Sequence, residues 1–355
     1  MVCKVRISGR EDAIREYKLC LLGLGNVNRT LVQLLQDRSS DLRDRGISWR
    51  ISGVASRRLG WIVEPDGLDP GILGEPGLPR RASLPAISSS PANVREWLQA
   101  AQADVLFEAT SLNARGGQPA IEHIRAALEL GAHAITANKG PVVHGYDELM
   151  ELARAKQRRF LFESTVMDGV PIFALFRDCL PTVQLRGFRG ILNSTTNVIL
   201  SGMEGGLSFE ASLKKAQEIG VAETDATADV EGWDAAVKVA ALVRVLMGKK
   251  IDIEKMDRQG IRHLSAEDVK AARREGHPYK LVCRASRDGE DVTASVRPQM
   301  VPLSDPMAHV AGTSSFVYFE TDIFPGLAIT ENDPGLEATA YGMLADFIRA
   351  ANNMD

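Results

Sequence analysis

The chain has 355 residues, of which 45% are hydrophobic and 25% are charged, and its formal net charge is −4. Because most domains hold about 100 to 150 residues, this length predicts two domains with a cleft between them. The charge leaves no basic stripe for nucleic acid, and no apolar run approaches the roughly 20 residues of a membrane-spanning helix. A small-molecule partner is therefore expected, with neither nucleic acid nor a membrane.

The four cysteines bear on where the protein acts. Cys3, Cys20, Cys179 and Cys283 are widely separated and form no CxxC pair. They predict free thiols in a reducing compartment, with Cys179 and Cys283 packed in the interior. Residues 1–18 carry charges of both signs and lack the apolar core of a signal peptide. A cytoplasmic protein is therefore expected.

Strand-like and helix-like segments alternate along residues 18–164. Residues 18–23 are a short apolar run, and residues 27–36 then carry apolar side chains at helical spacing. Five glycines and six prolines fall between residues 60 and 91, which predicts a loop there. The alternation predicts a parallel sheet with right-handed crossover connections. The remaining predicted elements are strands at 48–54, 104–109, 132–137 and 159–164, and helices at 91–101, 118–131 and 145–157.

A glycine-rich turn follows the first predicted strand and opens the first predicted helix. Its sequence runs from Gly23 through Gly25, Asn26 and Val27 to Asn28. Gly23 permits a tight turn, Gly25 lets the backbone approach a pyrophosphate, and the amides at the start of the helix attract negative charge. Asn28 stands where a third glycine is usual, a position that serves helix packing. The turn predicts a dinucleotide site, with a plain strand-to-helix turn as the alternative.

Two arginines follow the second predicted strand, at the position where NAD-binding proteins place a carboxylate for the ribose hydroxyl. The sequence there reads Ala55, Ser56, Arg57 and Arg58. Guanidinium groups suit the 2′-phosphate of NADP. NADP is therefore the preferred cofactor, and NAD is the alternative. If the two arginines have no role in binding, they simply begin a solvated loop.

The pattern changes in the second half of the chain, where longer strand-like runs accompany helices. The segment 336–352 is an amphipathic helix that is expected to pack back on the first domain. Its apolar stripe comprises Leu336, Ala340, Met343, Leu344 and Phe347. The other elements are strand-like runs at 183–193, 279–285, 291–297 and 315–322, and helices near 208–220, 232–247 and 265–275.

These observations predict an α/β fold of two domains. A Rossmann-type dinucleotide-binding domain covers residues 1–160 and takes in the C-terminal helix at about 334–355. The second is an α+β domain at 161–333, which would bind the substrate.

Three segments resemble the signatures of homoserine dehydrogenases. They are HAITANKGPVV at 133–143, GILNSTTNVIL at 190–200 and KAQEIGVAETDATADVEGWDAAVKV at 215–239. The resemblance implies NAD(P)-dependent interconversion of L-aspartate 4-semialdehyde and L-homoserine in threonine and methionine biosynthesis. It also implies a homodimer formed through the second domain. The chain length is expected to leave no room for the regulatory domain or fused kinase that many relatives carry.

Four side chains are candidates for catalysis. Reducing an aldehyde requires a proton donor at the developing alkoxide, and Asp234 and Lys238 are four apart on one predicted helix. An exposed ion pair is the alternative reading of that spacing. The resemblance implies that Lys238 and Asp229 contact the reacting oxygen and that Asp234 holds the lysine. It gives Lys139 a place near the nicotinamide, so which lysine donates the proton stays open.

The resemblance also implies contacts to substrate and cofactor. Glu223 corresponds to the carboxylate that binds the substrate amino group, and Ser194 and Thr195 correspond to contacts with its amino-acid end. A helix cap is the alternative for those two residues, and the two roles are compatible. Asn138, Lys139 and Thr339 are the remaining candidate cofactor contacts.

A loop near the domain junction resembles one whose backbone carbonyls hold a monovalent cation such as sodium. The corresponding residues are Glu163, Val166, Asp168 and Val170. Met167 and Asp168 stand where glycines are common. A hinge without a cation is the alternative for this loop.

Three other functions are the alternatives. Aspartate-semialdehyde dehydrogenase uses the same aldehyde but requires a cysteine nucleophile, and no cysteine here is well placed. A related Rossmann oxidoreductase acting on another amino-acid or sugar aldehyde would keep Lys238 and change the rest of the cleft. A nucleotide-sensing module would bind NADP without turnover, but Lys139, Asp229, Asp234 and Lys238 give no reason to expect lost chemistry.

Overall fold

A computed structural model describes residues 14–75 and 91–352 of the chain. The first sheet has six strands in the order β3-β2-β1-β4-β5-β6, and every neighbouring pair is parallel except β2 and β3. This strand order is that of a dinucleotide-binding fold, so the predicted Rossmann architecture is confirmed. The strands are β1 (Arg15–Leu22), β2 (Ile47–Ser56), β3 (Gly60–Leu68), β4 (Val105–Glu108), β5 (His133–Thr136) and β6 (Phe160–Leu161).

The described part of residues 26–155 contains seven helices, and those predicted at 27–36, 91–101, 118–131 and 145–157 are confirmed with boundary differences of a few residues. The short helix α6 was not predicted, and it begins at Lys139 directly after β5. The helices are α1 (Asn26–Asp37), α2 (Ser39–Arg43), α3 (Pro70–Gly74), α4 (Val94–Ala100), α5 (Ala120–Glu129), α6 (Lys139–His144) and α7 (Tyr146–Ala155).

The loop predicted at 60–91 is wrong for its first part. Strand β3 pairs antiparallel with β2 as the edge strand of the sheet, and α3 follows it. The Trp97 indole donates a hydrogen bond to the Ile62 carbonyl at 2.8 Å, and Ile62 is fully buried. An edge strand tolerates Pro65 and Gly67 because its outer side needs no ladder partner. Residues 76–90 of the predicted loop lie outside the described residues.

The second sheet has six strands in the order β12-β11-β7-β9-β10-β8. All pairs are antiparallel except the short parallel contact between β8 and β10, so the predicted α+β class is confirmed. Residues 327–331 form a strand that was not predicted. The strands are β7 (Leu185–Ile191), β8 (Asp257–Arg258), β9 (Tyr279–Asp288), β10 (Asp291–Met300), β11 (Ser315–Thr321) and β12 (Leu327–Glu331).

Helix α12 is the main helix packed on this sheet, and its apolar residues Val237, Ala240 and Ala241 are buried. The same buried cluster contains Val142 of α6 and Phe319 of β11, so one core joins the two sheets. The helices of this half are α8 (Ile172–Ala174), α9 (Ser194–Glu204), α10 (Phe209–Glu218), α11 (Thr227–Val230), α12 (Trp233–Leu246) and α13 (Ala266–Arg274).

The last helix, α14 (Leu336–Ala351), packs on the first sheet, as its amphipathic pattern predicted. The Phe347 ring lies edge-on to both Tyr17 and Phe107, and the Tyr17 hydroxyl donates to the Ala351 carbonyl at 3.0 Å. Leu336 does not join this contact, because it is 50% exposed and lines a cavity described below. No helix within 14–75 and 91–352 has the length and apolar character to cross a bilayer.

Candidate active site

A cavity of about 810 Å³ lies between the carboxyl edge of the first sheet and helices α9, α11 and α12. All seven catalytic and substrate residues predicted from the sequence line it, with two further cofactor candidates and one of the cation candidates, although they come from both halves of the chain. Those residues are Asn26, Lys139, Asp168, Ser194, Thr195, Glu223, Asp229, Asp234, Lys238 and Thr339.

The glycine turn at one side of the cavity has the shape of a dinucleotide-binding turn. Gly23 has φ of +86°, and a Cβ atom there would lie 2.5 Å from the Ala109 carbonyl oxygen. Gly25 precedes α1, and a Cβ atom there would meet nothing within 4 Å. The fold therefore requires glycine at the first position, whereas at the second position glycine leaves open space for a ligand.

Asn28 occupies the position at which this glycine motif usually has its third glycine. Its side chain is fully buried, and its amide donates to the carbonyls of Leu22 at 3.3 Å and Gly23 at 3.0 Å. These bonds tie the first turn of α1 to the end of β1. Asn28 therefore serves the packing of helix on strand, and the phosphate side of the turn stays free.

The arginine pair lies in the turn between β2 and β3. Arg57 and Arg58 are both exposed, and Ser56 stabilises the turn by accepting a hydrogen bond from the Leu59 amide at 3.2 Å. Neither arginine lines the cavity. Val27, which was predicted as a cofactor contact, also lies outside the cavity and packs against the buried cluster that α1 and α14 share with the first sheet.

Asn138 positions Lys139 at the end of β5. Its side-chain oxygen caps α6 by accepting from the Gly140 amide at 3.0 Å, and its amino group donates to the Thr110 carbonyl at 3.2 Å. Its own main-chain N–H donates to the Thr136 hydroxyl at 2.9 Å. Asn138 thus connects two strand ends, and Lys139 points from the first turn of α6 into the cavity.

Asp234 lies between two lysines that come from different halves of the chain. Lys139 Nζ is 3.3 Å from Asp234 Oδ1, and Lys238 Nζ is 3.4 Å from Asp234 Oδ2. All three side chains are only 18% exposed. Lys238 also donates to the Leu192 carbonyl at 2.6 Å. The pair at positions 234 and 238 is therefore not an ordinary exposed ion pair.

Charges decide the protonation of this group. Burial opposes ionisation of Asp234, but the two ammonium groups outweigh it and hold the pKa of the carboxyl well below its usual range. Burial would likewise lower the pKa of Lys238, but the charges of Asp234, Asp168 and Asp229 raise it. The carboxylate and the Lys238 ammonium are therefore both charged at neutral pH.

Asp229 and Asn193 complete the cluster. Burial raises the pKa of Asp229, and the neighbouring Asp234 charge raises it further. Asn193 was not predicted as a site residue, yet its amide donates to Asp229 Oδ1 at 2.6 Å and to Asp234 Oδ2 at 3.0 Å. A sequence signal existed, because Asn directly before a helix is a common N-cap.

The candidate substrate residues Ser194, Thr195 and Glu223 line another part of the same cavity. Ser194 and Thr195 begin α9, and the cap of that helix is Asn193, so the cap reading of these two residues is wrong. The Ser194 hydroxyl donates to the Thr313 carbonyl at 2.9 Å, and Thr195 donates to the Val221 carbonyl at 3.2 Å. Glu223 is exposed at the rim of the cavity.

Among the four candidate cation ligands, the Glu163 side chain has a structural role. It is 3% exposed, and its carboxylate accepts hydrogen bonds from the main-chain amides of Phe173 at 2.7 Å and Ala174 at 2.9 Å. The Val170 carbonyl accepts from the Ile172 amide at 2.7 Å, and Val166 is fully buried. The described residues contain no group of three or more His, Cys, Asp or Glu side chains suited to a metal.

Asp168 differs from the other three because its side chain lines the cavity. Met167 and Asp168 have φ of +53° and +55°, a region that costs most residues about 1 kcal/mol or more. Burial of Met167 and a 2.9 Å hydrogen bond from the Thr339 hydroxyl to Asp168 Oδ1 help to offset that cost. This bond fastens the loop to the first turn of α14.

The cysteines do not suit an acyl-enzyme. Burial raises the pKa of both Cys20 and Cys283 to about 12. Cys179 is exposed, so the prediction that it is packed is wrong, and it does not line the cavity. Cys3 lies outside the described residues.

Comparison with known proteins identifies the family. Residues 23–163 match the homoserine dehydrogenase NAD-binding domain, and residues 171–348 match the homoserine dehydrogenase family itself. The chain belongs to the homoserine dehydrogenase family. It is therefore an NAD(P)-dependent oxidoreductase of that type, and the resemblance noted in the sequence is confirmed.

Individual relatives cover nearly the whole chain. It is 36% identical to the NAD(+)-dependent homoserine dehydrogenase of Pseudomonas canavaninivorans over 340 residues, and these residues make up 94% of this chain and 96% of the relative. It is 32% identical to the homoserine dehydrogenase of Methanocaldococcus jannaschii, over 94% of this chain and 98% of the relative. A crystal structure of a homoserine dehydrogenase from Thiobacillus denitrificans superposes with a TM-score of 0.80 at 28% identity, over 96% of this chain and 74% of that one.

Proposed function

We propose that the cavity binds L-homoserine and L-aspartate 4-semialdehyde, and that Lys238 is the group acting on the reacting oxygen. The observation that carries this assignment is the arrangement of Lys139, Asp234 and Lys238 in one cavity beside an open glycine turn. A bound nicotinamide supplies or accepts the hydride. The residues of the chain must then hold the substrate and stabilise charge on its oxygen.

The donors of Lys238 support its role. An ammonium group has three N–H bonds, and the Leu192 carbonyl and the Asp234 carboxylate occupy two of them. The third is left for the substrate oxygen. Because the pKa of Lys238 is raised, the group keeps its charge at neutral pH and stabilises a developing alkoxide. Lys139, bound to the same carboxylate, adds a second positive charge.

The two ends of a zwitterionic substrate would meet opposite partners. Glu223 at the rim offers a carboxylate to the ammonium group, and the first amides of α9, at Ser194 and Thr195, suit the substrate carboxylate. Asp229 lies beside Lys238 and would contact the reacting oxygen. Its raised pKa favours uptake of the proton that leaves the alcohol during oxidation.

NADP is proposed as the preferred cofactor. The exposed guanidinium groups of Arg57 and Arg58 follow β2, where a carboxylate would select NAD. The relative from Pseudomonas canavaninivorans is named NAD(+)-dependent, which makes NAD the competing possibility. Asn26, Asn138, Lys139 and Thr339 would contact other parts of the nucleotide.

Steady-state oxidation of L-homoserine by purified protein tests both proposals. We expect a higher kcat/KM with NADP than with NAD, and a reversal or loss of that preference when Arg57 and Arg58 are both replaced by Ala. The exposed Arg186 on β7, replaced by Ala, is the matched control. A preference for NAD in the unaltered protein would overturn the cofactor proposal alone, and absence of turnover with either nucleotide would overturn the substrate proposal.

A monovalent cation such as sodium is proposed at the loop 163–170, held by the carbonyls of Glu163, Val166, Asp168 and Val170. The fit is partial, because the Val170 carbonyl already accepts one hydrogen bond, although a carbonyl oxygen has a second lone pair. Activity in sodium chloride, compared with choline chloride at equal ionic strength, tests the proposal. Equal rates in the two salts would remove it.

A homodimer formed through the second domain and a cytoplasmic location are also proposed, on the resemblance to the family. Cys20 and Cys283, which are buried free thiols, suit a reducing compartment. Sedimentation measured across a range of protein concentrations tests the dimer, and a single monomer species throughout would contradict it.

A further inference from the structure

Asn193 makes four hydrogen bonds with one side-chain amide. Its oxygen accepts from the Thr196 main-chain N–H at 2.9 Å and from the Thr196 hydroxyl at 2.8 Å. Its nitrogen donates to Asp229 at 2.6 Å and to Asp234 at 3.0 Å. The residue is 4% exposed. Both N–H donors and both acceptor positions of the amide are therefore used within the protein.

The orientation of this amide follows from chemistry. If the oxygen and nitrogen exchanged places, the amino group would face the Thr196 N–H and the oxygen would face two carboxylates. Both contacts would be repulsive. The amino group must therefore point at Asp229 and Asp234.

We propose that Asn193 is a positioning residue for the reaction, because its amide fixes the carboxylates of Asp229 and Asp234 relative to each other and thereby sets where the two lysines present their ammonium groups. This inference rests on the proposed function of the site. Asp234 Oδ2 is shared by Asn193 and Lys238, while Oδ1 is 3.3 Å from Lys139. A change in the carboxylate's orientation would therefore move both lysines.

The same amide separates two carboxylates that would otherwise repel. The charged groups facing Asp229 are Asp234 and Lys238 of α12, and the Thr195 hydroxyl of α9 is also close. Lys139 of α6 faces Asp234 from the opposite side. Without the amide, Asp229 would lose a bond that favours its ionised form, and its pKa would rise further.

Substitution by serine separates the capping role from the bridging role. Asn193→Ser keeps a side-chain oxygen that can cap α9. The variant lacks the two side-chain N–H groups that bridge the carboxylates of Asp229 and Asp234. The matched control is Asn197→Ser on the same helix. Asn197 is also buried and donates to the carbonyls of Gly312 at 3.0 Å and Ser314 at 3.3 Å, but it contacts neither carboxylate.

We expect Asn193→Ser to lower kcat for homoserine oxidation by about 10- to 100-fold and to move the acidic limb of the pH profile of kcat/KM upward by about one pH unit. NADP affinity should stay within about twofold. Asn197→Ser should keep the acidic limb of the unaltered protein. An Asn193→Ser profile that matches the unaltered protein, or an equal shift in Asn197→Ser, would overturn the inference.

A readout without turnover keeps the inference separate from the proposed function. The titration of the Asp229 carboxyl carbon, followed by NMR in the absence of substrate, should shift to higher pH in Asn193→Ser and not in Asn197→Ser. An unchanged titration would overturn the bridging role. If the unaltered protein oxidises no homoserine, the proposed function fails, and this titration still decides the role of Asn193.

Discussion

Replacing Lys238 with Met removes the ammonium group while keeping the length and most of the volume of the side chain. Lys139 remains 3.3 Å from Asp234, so the buried carboxylate keeps one cation, but the Leu192 carbonyl loses its 2.6 Å donor. An unsatisfied buried carbonyl costs about 1 to 3 kcal/mol of stability. Loss of the donor at the reacting oxygen should lower kcat by about 10² to 10⁴-fold.

The assay is steady-state homoserine oxidation, followed by absorbance of the reduced nicotinamide and combined with NADP affinity from fluorescence titration. Lys280→Met is the matched control, because Lys280 is 1% exposed, donates to the Val310 carbonyl at 2.8 Å and lies 3.5 Å from Glu204. It does not line the cavity. It should lower the melting temperature while kcat stays within about twofold of the unaltered protein. A kcat within threefold of the unaltered value in Lys238→Met would refute the assignment.

Two further predictions concern the glycine turn and the buried carboxyl pair. Gly25→Ala should weaken NADP binding by about tenfold or more with an unchanged melting temperature, since its methyl group meets no protein atom within 4 Å. Gly23→Ala should instead destabilise the fold. Unaltered NADP affinity in Gly25→Ala would contradict a cofactor site at the glycine turn. Burial, together with the Asp346 charge, raises the pKa of Glu163 to about 7, and burial raises that of Asp346 to about 6. The folded state therefore binds these protons more tightly than the unfolded chain, so the free energy of unfolding should fall as pH rises from about 4 to about 7. Glu163→Gln should flatten that dependence in thermal melts, and a slope equal to that of the unaltered protein would exclude Glu163 as its source.

The periodic elements and the local motifs of this fold can be predicted from the sequence. The glycine turn is local, since one strand, Gly23 and one helix define it. The spacing of Asp234 and Lys238 placed both on one face of a helix, and the structure has them in contact. By contrast, β3 was missed because its two glycines and Pro65 predict a loop, and only pairing with β2 gives this segment an extended structure.

Contacts between distant residues could not be predicted in the same way. The pair between Lys139 and Asp234 depends on how α6 packs against α12, which no local pattern encodes. Asn193 combines a local feature with a long-range one. Its position before a helix is typical of a cap, but its bonds to two carboxylates depend on tertiary packing. Leu336 fits the apolar stripe of α14, yet it is half exposed because it faces the cavity.

In the proposed reaction, hydride passes between the terminal alcohol carbon of homoserine and a nicotinamide nucleotide bound at the glycine turn. The most direct measurement supplies L-homoserine deuterated at C4 together with NADP and analyses the reduced nucleotide by mass spectrometry. We expect one deuterium in each NADPH formed. Reduced nucleotide without deuterium, or no reduction of NADP or NAD at all, would contradict it.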